Sequence, residues 1–336
     1  MKEGPSAERS VQRLSESQLN DWLKLEYGMF IHYGMTTFSK GKGHEGHGPL
    51  PIDCYAPTDL DVGQWISAAR DAGMKYAILT VQHGTGFCLW PTKYNDYNVA
   101  NSPCPVDVVE AFVDACRRCG VAPAFYHCGG HASLAAVLKD RAKDPASRQA
   151  AVLEYVTNQV TELLTQYGEI AEMWFDGPGQ YTPQGRRRLY DHVASLQPQT
   201  VIAMNGAFET NGMKTVVKPD TWPTDVIVIE TSTPPFWPLD RFDLGEDVTR
   251  KPGEPEEYYL PTECVMCMDD HAELWWFGGP GAVVRGDLEL LAMRLLTRQR
   301  GANCVFNVPP TPQGRLRQDY VDALLRLAKN WPSVAG

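Results

Sequence analysis

Tyr76-Ala77-Ile78-Leu79-Thr80-Val81-Gln82-His83-Gly84-Thr85-Gly86 is the stretch on which the fold turns. Tyr76–Val81 is a continuous apolar run with no polar alternation. A strand of that kind has both faces covered, as in the parallel sheets of α/β proteins. The Gly-rich segment that follows Gln82-His83 ends it. Immediately upstream, Leu60–Ala72 sets Trp65, Ile66 and Ala69 on one helical face, and Gly73 stops that helix. Downstream, Val106–Arg118 reads as the next helix. Helix, buried strand, helix is the βαβ repeat of a parallel sheet.

The same pattern extends in both directions. Strands are expected at Glu26–Gly34, Ala122–Tyr126, Ile170–Asp176, Thr200–Asn205, Asp225–Glu230, Glu263–Met268 and Cys304–Asn307. Helices are expected at Gln149–Tyr167, Gln184–Leu196, Leu288–Arg300 and Gln318–Asn330. About eight such units in ~300 residues is the count of a (β/α)₈ TIM-like barrel. A doubly wound sheet usually carries a Gly-rich phosphate turn after its first strand, and Gly34-Met35-Thr36-Thr37 is not one. The expected organisation is therefore a polar N-terminal arm over 1–20 and one catalytic barrel over 21–336.

Composition narrows the function. The chain has 336 residues, 43% hydrophobic and 21% charged, with a net charge of −10. That balance argues against nucleic acid or an anionic membrane surface as partner. No apolar run approaches the ~20 residues of a membrane helix. Nine cysteines, an odd number mostly within apolar runs, suit reduced thiols. With no apolar leader in residues 1–20, a cytoplasmic location is expected. Cys116/Cys119 and Cys264/Cys267 are CxxC pairs. The first closes a helix and the second lies far along the chain, so a zinc ribbon is not expected. His44-Glu45-Gly46-His47 lacks the spacing of a zinc-protease helix and reads as a loop.

Polar residues end nearly every expected strand: His32, His83, His127, Asp176, Asn205, Glu230 and Asn307. In a barrel these ends share one face, and that face holds the active site. Asp176 closes Met173-Trp174-Phe175 and precedes Gly177-Pro178-Gly179. Taken alone it suits a turn or a helix cap, but its company points to chemistry. Acids (Asp176, Glu230, with Glu209 and Glu263) and aromatics (Tyr33, Trp90, Tyr126, Trp174, Trp222, Trp237, Trp275, Trp276) together suit a sugar. Aromatic faces cover the C–H side of the ring, and a carboxyl pair ~5–5.5 Å apart performs retaining hydrolysis. No phosphate loop, flavin fingerprint or serine elbow is present, and neither metal nor cofactor is expected.

Over about residues 20–331 the chain resembles the α-L-fucosidase family of retaining glycoside hydrolases. The resemblance rests on Tyr27-Gly28-Met29-Phe30-Ile31-His32-Tyr33-Gly34 and on Trp65 through Phe87, with Asp71-Ala72-Gly73-Met74-Lys75-Tyr76. It continues through Cys88-Leu89-Trp90-Pro91, Trp174-Phe175-Asp176-Gly177 and Pro261-Thr262-Glu263-Cys264, and ends in Asn303–Gly314. Asn307-Val308-Pro309-Pro310 and Asp59–Trp65 look closer to the branch acting on α1,3/α1,4-linked fucose. The resemblance implies a retaining exo-fucosidase acting on a fucosylated oligosaccharide or glycoconjugate. Asp176 matches the family nucleophile. His32 matches the sugar-contacting histidine after the first strand. His83 matches the first of a histidine pair, and Tyr126 an aromatic bordering the fucose. Trp90, Tyr33, His127 and Trp174 join them as expected sugar contacts. For the acid/base, Glu230 is preferred because its strand aligns loosely with one ending in that residue. Glu263 and then Glu209 follow.

The sequence departs from the family in three places. Gly84 stands where the second paired histidine is found and Thr85-Gly86 follows it. Tyr33 replaces a tryptophan. The β-sandwich common behind the family's barrel is not expected here. His44, His47, His127 and His131 are the imidazoles available to replace the lost one. Two other readings stay open: the same barrel acting on another sugar or favouring transglycosylation, and a carbohydrate-binding protein with weak turnover.

Overall fold

The computed structural model describes residues 12–39, 49–129, 138, 144–211, 214–230, 241–244, 257–270 and 275–335. Eight parallel strands form its central sheet: β1 (Tyr27–Ile31), β2 (Tyr76–Gln82), β3 (Ala122–Cys128), β4 (Glu172–Asp176), β5 (Val201–Met204), β8 (Ile227–Glu230), β11 (Thr262–Cys267) and β12 (Ala302–Asn307). They are ordered β5-β4-β3-β2-β1-β12-β11-β8, so that β1, first in the chain, pairs with β12, the last. The seam between β5 and β8 closes through Asp225. Its backbone N donates to Ile202 O at 2.8 Å, and its carboxylate accepts from Ile202 N at 2.9 Å. Buried Asp225 also takes Tyr190 OH and the Arg13 guanidinium. The result is a nearly closed (β/α)₈-type barrel.

Helices α2 (Val62–Asp71), α3 (Val108–Cys119), α4 (Pro145–Gln166), α5 (Pro183–Leu196), α6 (Asp287–Gln299) and α7 (Gln318–Ala335) follow β1, β2, β3, β4, β11 and β12. Their starts are written in the sequence. Asp61, Asp107, Asp144 and Thr182 cap α2 to α5 through side-chain oxygens, and Pro145 and Pro183 occupy the first helical turn of α4 and α5. All eight expected strands and all six expected helices are present, with ends shifted by a few residues.

Two regions differ from expectation. Residues 14–20 are not a polar arm: helix α1 (Glu16–Leu23), with a capping box at Ser15 and Gln18, buries Leu19 and Trp22. Leu14, Leu19 and Trp22 pack against inward residues of the barrel strands, among them Phe30, Tyr76 and Trp174. The helix plugs the end of the barrel where the strands begin. Second, a four-stranded sheet departs from simple alternation. β6 (Phe208–Asn211) and β7 (Lys214–Val217) lie between β5 and β8 in the chain, and β9 (Arg241–Leu244) and β10 (Glu257–Tyr259) lie between β8 and β11. Val217, Ile227 and Leu260 share a small apolar cluster that seats this excursion on β8.

Strand alternation divides the interior into two apolar bodies. Met29, Ala77, Leu79, Phe125, Met173, Phe175, Ile202, Met266 and Phe306 face the helices. Phe30, Ile78, Tyr126, Trp174, Val228, Val265 and Val305 fill the barrel. None of the nine cysteines is in a disulfide. Cys264 lies with the outward body and Cys267 with the inward one, so this CxxC pair splits across a strand. Among the described residues no group of three or more His, Cys, Asp or Glu is placed to hold a metal ion.

Candidate active site

The inward positions at the C-terminal ends of the strands converge on one cavity. It is lined by Phe30, His32, His83, Tyr126, Trp174, Asp176, Glu230, Val265 and Trp276. Asp176 is the last residue of β4, and Gly177 then takes φ +62°, a turn that glycine makes without strain. That turn brings Gly177 N to Asp176 Oδ1 at 2.9 Å. Asn205 Nδ2 donates to the same oxygen at 2.9 Å, and Tyr126 OH donates to Oδ2 at 2.7 Å. Burial raises the Tyr126 pKa well above the ordinary tyrosine value, so the phenol remains a neutral donor.

Glu230 is the last residue of β8, exposed at the rim. Its Oε1 accepts from Asn205 Nδ2 at 2.7 Å. One amide nitrogen therefore touches both carboxyls. Asp176 Oδ1 and Glu230 Oε1 lie at most about 5.6 Å apart, since the two bonds through the shared nitrogen measure 2.9 and 2.7 Å. Desolvation, followed by the Asp176 charge, pushes Glu230 up to about 7, and the Asn205 donation opposes that shift. Water reaches the open rim and screens part of this effect, and a ligand covering the site would strengthen it.

The opposite wall is aromatic. His83 stacks on Tyr126 at 5.3 Å and 12°, and His32 stacks on Trp276 at 5.5 Å and 19°. Trp174 lies against Tyr126 at 5.0 Å. Phe277 packs edge-on to both histidines. Asn307 fixes the His32 ring. Its Nδ2 donates to the Trp276 carbonyl at 2.7 Å, which leaves Oδ1 facing His32 Nδ1 at 2.6 Å. A carbonyl cannot donate, so the amide has one orientation and His32 Nδ1 carries the proton.

The geometry sorts the expected site residues. Asp176, Glu230, His32, His83, Tyr126 and Trp174 meet in the cavity. Tyr33, Trp90 and His127 do not. His127 follows inward Tyr126 on a regular strand and so points outward, where Nε2 meets Gln159 of α4 at 3.0 Å. Its burial lowers it to about 4. Trp90 is buried outside the barrel and donates to Glu162 Oε2 at 3.1 Å. Tyr33 packs among Phe38, Tyr55 and Trp65.

Glu263 is the second residue of β11, fully buried near the barrel floor, where Tyr76 OH donates to its Oε2 at 2.7 Å. Two residues further along the same strand, Val265 lines the cavity, which puts Glu263 about 6–7 Å below it. Glu209 lies in β6, with its side chain outside the described residues. His44, His47, His131 and Trp237 also fall outside them. Sequence reasoning placed Asn205 and Asn307 at strand ends without giving them roles, and it missed Phe30, Val265 and Phe277. The alternation of β5, with Val201 and Ala203 facing the barrel interior, continues to Asn205 and was the signal that could have placed it inward.

His83 reaches the cavity only through a β-bulge. The β2–β3 register slips between Thr80 and Gln82. Val81 packs in the outward body and Gln82 turns outward to Tyr155 and Cys88, so the inward position passes to His83. Bulges that re-aim a side chain beside an active site are a recurrent device.

Known proteins resemble this chain over most of its length. The family model described as Alpha-L-fucosidase matches residues 51–336. Alpha-L-fucosidase 1 of Arabidopsis thaliana is 29% identical over 327 residues, covering 93% of this chain and 59% of that protein. The plasma alpha-L-fucosidase of Homo sapiens is 24% identical, covering 94% and 62%. The chain thus spans about three fifths of the length of these relatives. Among solved structures, a putative alpha-L-fucosidase from Bacteroides thetaiotaomicron superposes with a TM-score of 0.77 at 25% identity, covering 97% of this chain and 69% of that one. A trapped covalent intermediate of an alpha-L-fucosidase from the same organism, in complex with 2-fluoro-fucosyl fluoride, shares the fold with a TM-score of 0.74 at 22% identity, covering 96% and 76%. With more than four fifths of its length inside the family model, the chain belongs to the alpha-L-fucosidase family.

Proposed function

We propose that this barrel is a retaining exo-α-L-fucosidase that releases α-linked fucose from oligosaccharides or glycoconjugates by double displacement. The observation that carries this reading is the Asn205 amide nitrogen in contact with both Asp176 and Glu230. It holds the carboxyls within the spacing of retaining enzymes and inside that of inverting ones, which leave room for a water.

In the first step Asp176 attacks the anomeric carbon while Glu230, held protonated to near neutral pH, gives its proton to the leaving oxygen. In the second, the Glu230 carboxylate takes a proton from water, which displaces Asp176. Opposite protonation states in the two steps require a glutamate whose pKa follows the charge of its neighbour, and Asp176 loses its charge in the intermediate. Trp174, Tyr126 and Trp276 offer faces to the apolar side of a 6-deoxy sugar, and His32 lines the same cavity. The tract Asn307-Val308-Pro309-Pro310 supports α1,3/α1,4-linked fucose as the substrate class.

Stereochemistry tests the roles. Asp176→Gly is expected to abolish hydrolysis of an aryl α-L-fucoside, and azide to restore turnover as the β-fucosyl azide. Glu230→Ala is expected to retain its first step on activated leaving groups and to give the α-fucosyl azide. Full activity of Asp176→Gly, or azide products of the same anomer from both variants, would refute the assignment.

A further inference from the structure

Asn205 is held more firmly than a strand-end side chain needs to be. Its backbone N donates to Phe175 O at 2.9 Å, continuing the β4–β5 ladder and fixing its Cα beside Asp176. Its carbonyl accepts from Trp222 Nε1 at 3.2 Å. Gly206 follows at φ +81°, and a Cβ there would stand 3.3 Å from the Trp222 ring. The indole itself is held by the Arg186 guanidinium, 4.1 Å over its ring. The amide is thus presented from a clamped backbone.

Its orientation follows from chemistry. Asp176 Oδ1 is the carboxylate acceptor of the nucleophile, so an amide oxygen turned toward it would meet an acceptor, whereas the NH₂ end serves both Asp176 and Glu230 Oε1, which accepts in either protonation state. The NH₂ end has two hydrogens, one for each partner. The two Asp176 oxygens are then unequal. Among the described residues Oδ1 takes two donors, Asn205 Nδ2 and Gly177 N, and Oδ2 takes one, the Tyr126 hydroxyl.

We infer that Asn205 is a positioning residue: it anchors Asp176 through the non-attacking Oδ1, leaves Oδ2 as the attacking atom, and passes its donation to Glu230 when the intermediate forms. This rests on the double-displacement reading above. In the first step an Oδ2 lone pair forms the bond to the anomeric carbon. The bond to the leaving oxygen breaks, its electron pair staying on that oxygen, which takes the Glu230 proton. Oδ1 is now an ester carbonyl, a weaker acceptor than a carboxylate oxygen. The stronger acceptor left to Asn205 is the newly formed Glu230 carboxylate, which must next act as base. Water then adds to the anomeric carbon, its proton goes to Glu230, and the bonding pair returns to Oδ2. Charge-assisted donation thus moves to whichever carboxyl carries the charge.

The pH profile distinguishes positioning from mere packing. Among the described residues the titratable groups around Glu230 are Asp176 on β4, Tyr126 on β3 and Cys267 on β11, with His32 and His83 across the cavity. Asn205→Ala removes a donor from the Glu230 carboxylate, so the acid form persists to higher pH. The alkaline limb of kcat/KM is expected to move upward. On an aryl α-L-fucoside, loss of a charge-assisted bond from the base step should lower kcat roughly 10- to 100-fold. KM should fall with it, because the intermediate accumulates and a burst of phenol release appears. Asn205→Asp keeps the shape but replaces the donor. It should lose at least as much activity, and it serves as the second variant if Asn205→Ala does not fold. Melting curves confirm folding. A wild-type pH profile and kcat in either folded variant would overturn the role of Asn205, as would a fall in kcat without a burst or a change in KM. Asp176→Gly, measured in parallel, separates the two claims: if it is inactive and rescued by azide while Asn205→Ala behaves as wild type, only the Asn205 assignment fails.

Discussion

Glu263→Gln separates the floor of the barrel from its mouth. At the floor, Glu263 Oε2 accepts from Tyr76 OH at 2.7 Å and Glu172 Oε2 from Trp22 Nε1 at 3.2 Å. Among the described residues the Oε1 atoms of both glutamates are buried without a donor. The two carboxyls act on each other, and no cation is among the groups that affect either most. A proton shared between them satisfies both oxygens. Burial holds Glu172 well above the carboxylate range and pushes Glu263 up to about 7. The folded state therefore keeps protons that the unfolded chain has released above pH ~4.5, and the unfolded chain binds fewer. Stability is expected to fall as pH rises through that window toward about 7. Glutamine at 263 keeps an acceptor for Tyr76, supplies a donor to Glu172 and never ionises. At pH 5 it should melt within ~1 °C of wild type. At pH 8 it should be more stable by on the order of 1–3 kcal/mol, the cost of an unpaired buried polar or charged group. At ~2.1 cal/mol/K of unfolding entropy per residue, that is roughly 1.5–4 °C in Tm. Melts from pH 5 to 8.5 measure it, alongside fucosidase assays at pH 6. A Tm difference that does not grow with pH refutes the shared proton. Loss of activity like that of Glu230→Ala refutes the placement of Glu263 outside the chemistry.

Three further outcomes are expected. The alkaline limb of kcat/KM should lie near pH 7, where Glu230 loses the proton needed by the leaving group, and Glu230→Gln should abolish that limb in whatever activity remains. Gly84 has open space around a built Cβ and no positive φ, so Gly84→His should shift Tm by less than ~1 °C while changing fucose affinity; a large drop in Tm with unchanged affinity would place the residue in the scaffold instead. Trp22→Ala opens the floor beneath Glu172 and should destabilise by about 3–5 kcal/mol, seen in denaturant melts, with kcat unchanged at temperatures where the protein is folded.

Much of the site was legible because barrel strands end where their chemistry begins. Asp176 and Glu230 are the last residues of their strands and could be read as rim groups from the apolar run before each and, for Asp176, the glycine after it. Asn307 was readable on the same grounds. His127 misled because it too stands near a strand end, yet its neighbour Tyr126 already holds the inward position. Trp90 and Tyr33 misled because their residue types suit a sugar, while buried hydrogen bonding and aromatic packing outside the barrel claim them.

The sequence by itself determined the order of elements, the buried parallel strands and the face on which polar residues gather, because periodicity and chain-terminating turns are local properties. Four things were decided only by the tertiary structure. The bulge at Thr80–Gln82 turns His83 inward, and a register slip depends on the neighbouring strand. Residues 14–23 became the barrel floor, because a short amphipathic helix is ordered by what it packs on. Glu263 and Glu230, both inward glutamates on adjacent strands, were separated by their height along the barrel axis. Asn205 acquired two carboxyl partners from β4 and β8, at 29 and 25 residues' distance in the chain. Each depends on which strand lies beside which and in what register. Those relations are set by closure of the barrel as a whole, and no window of the sequence contains them.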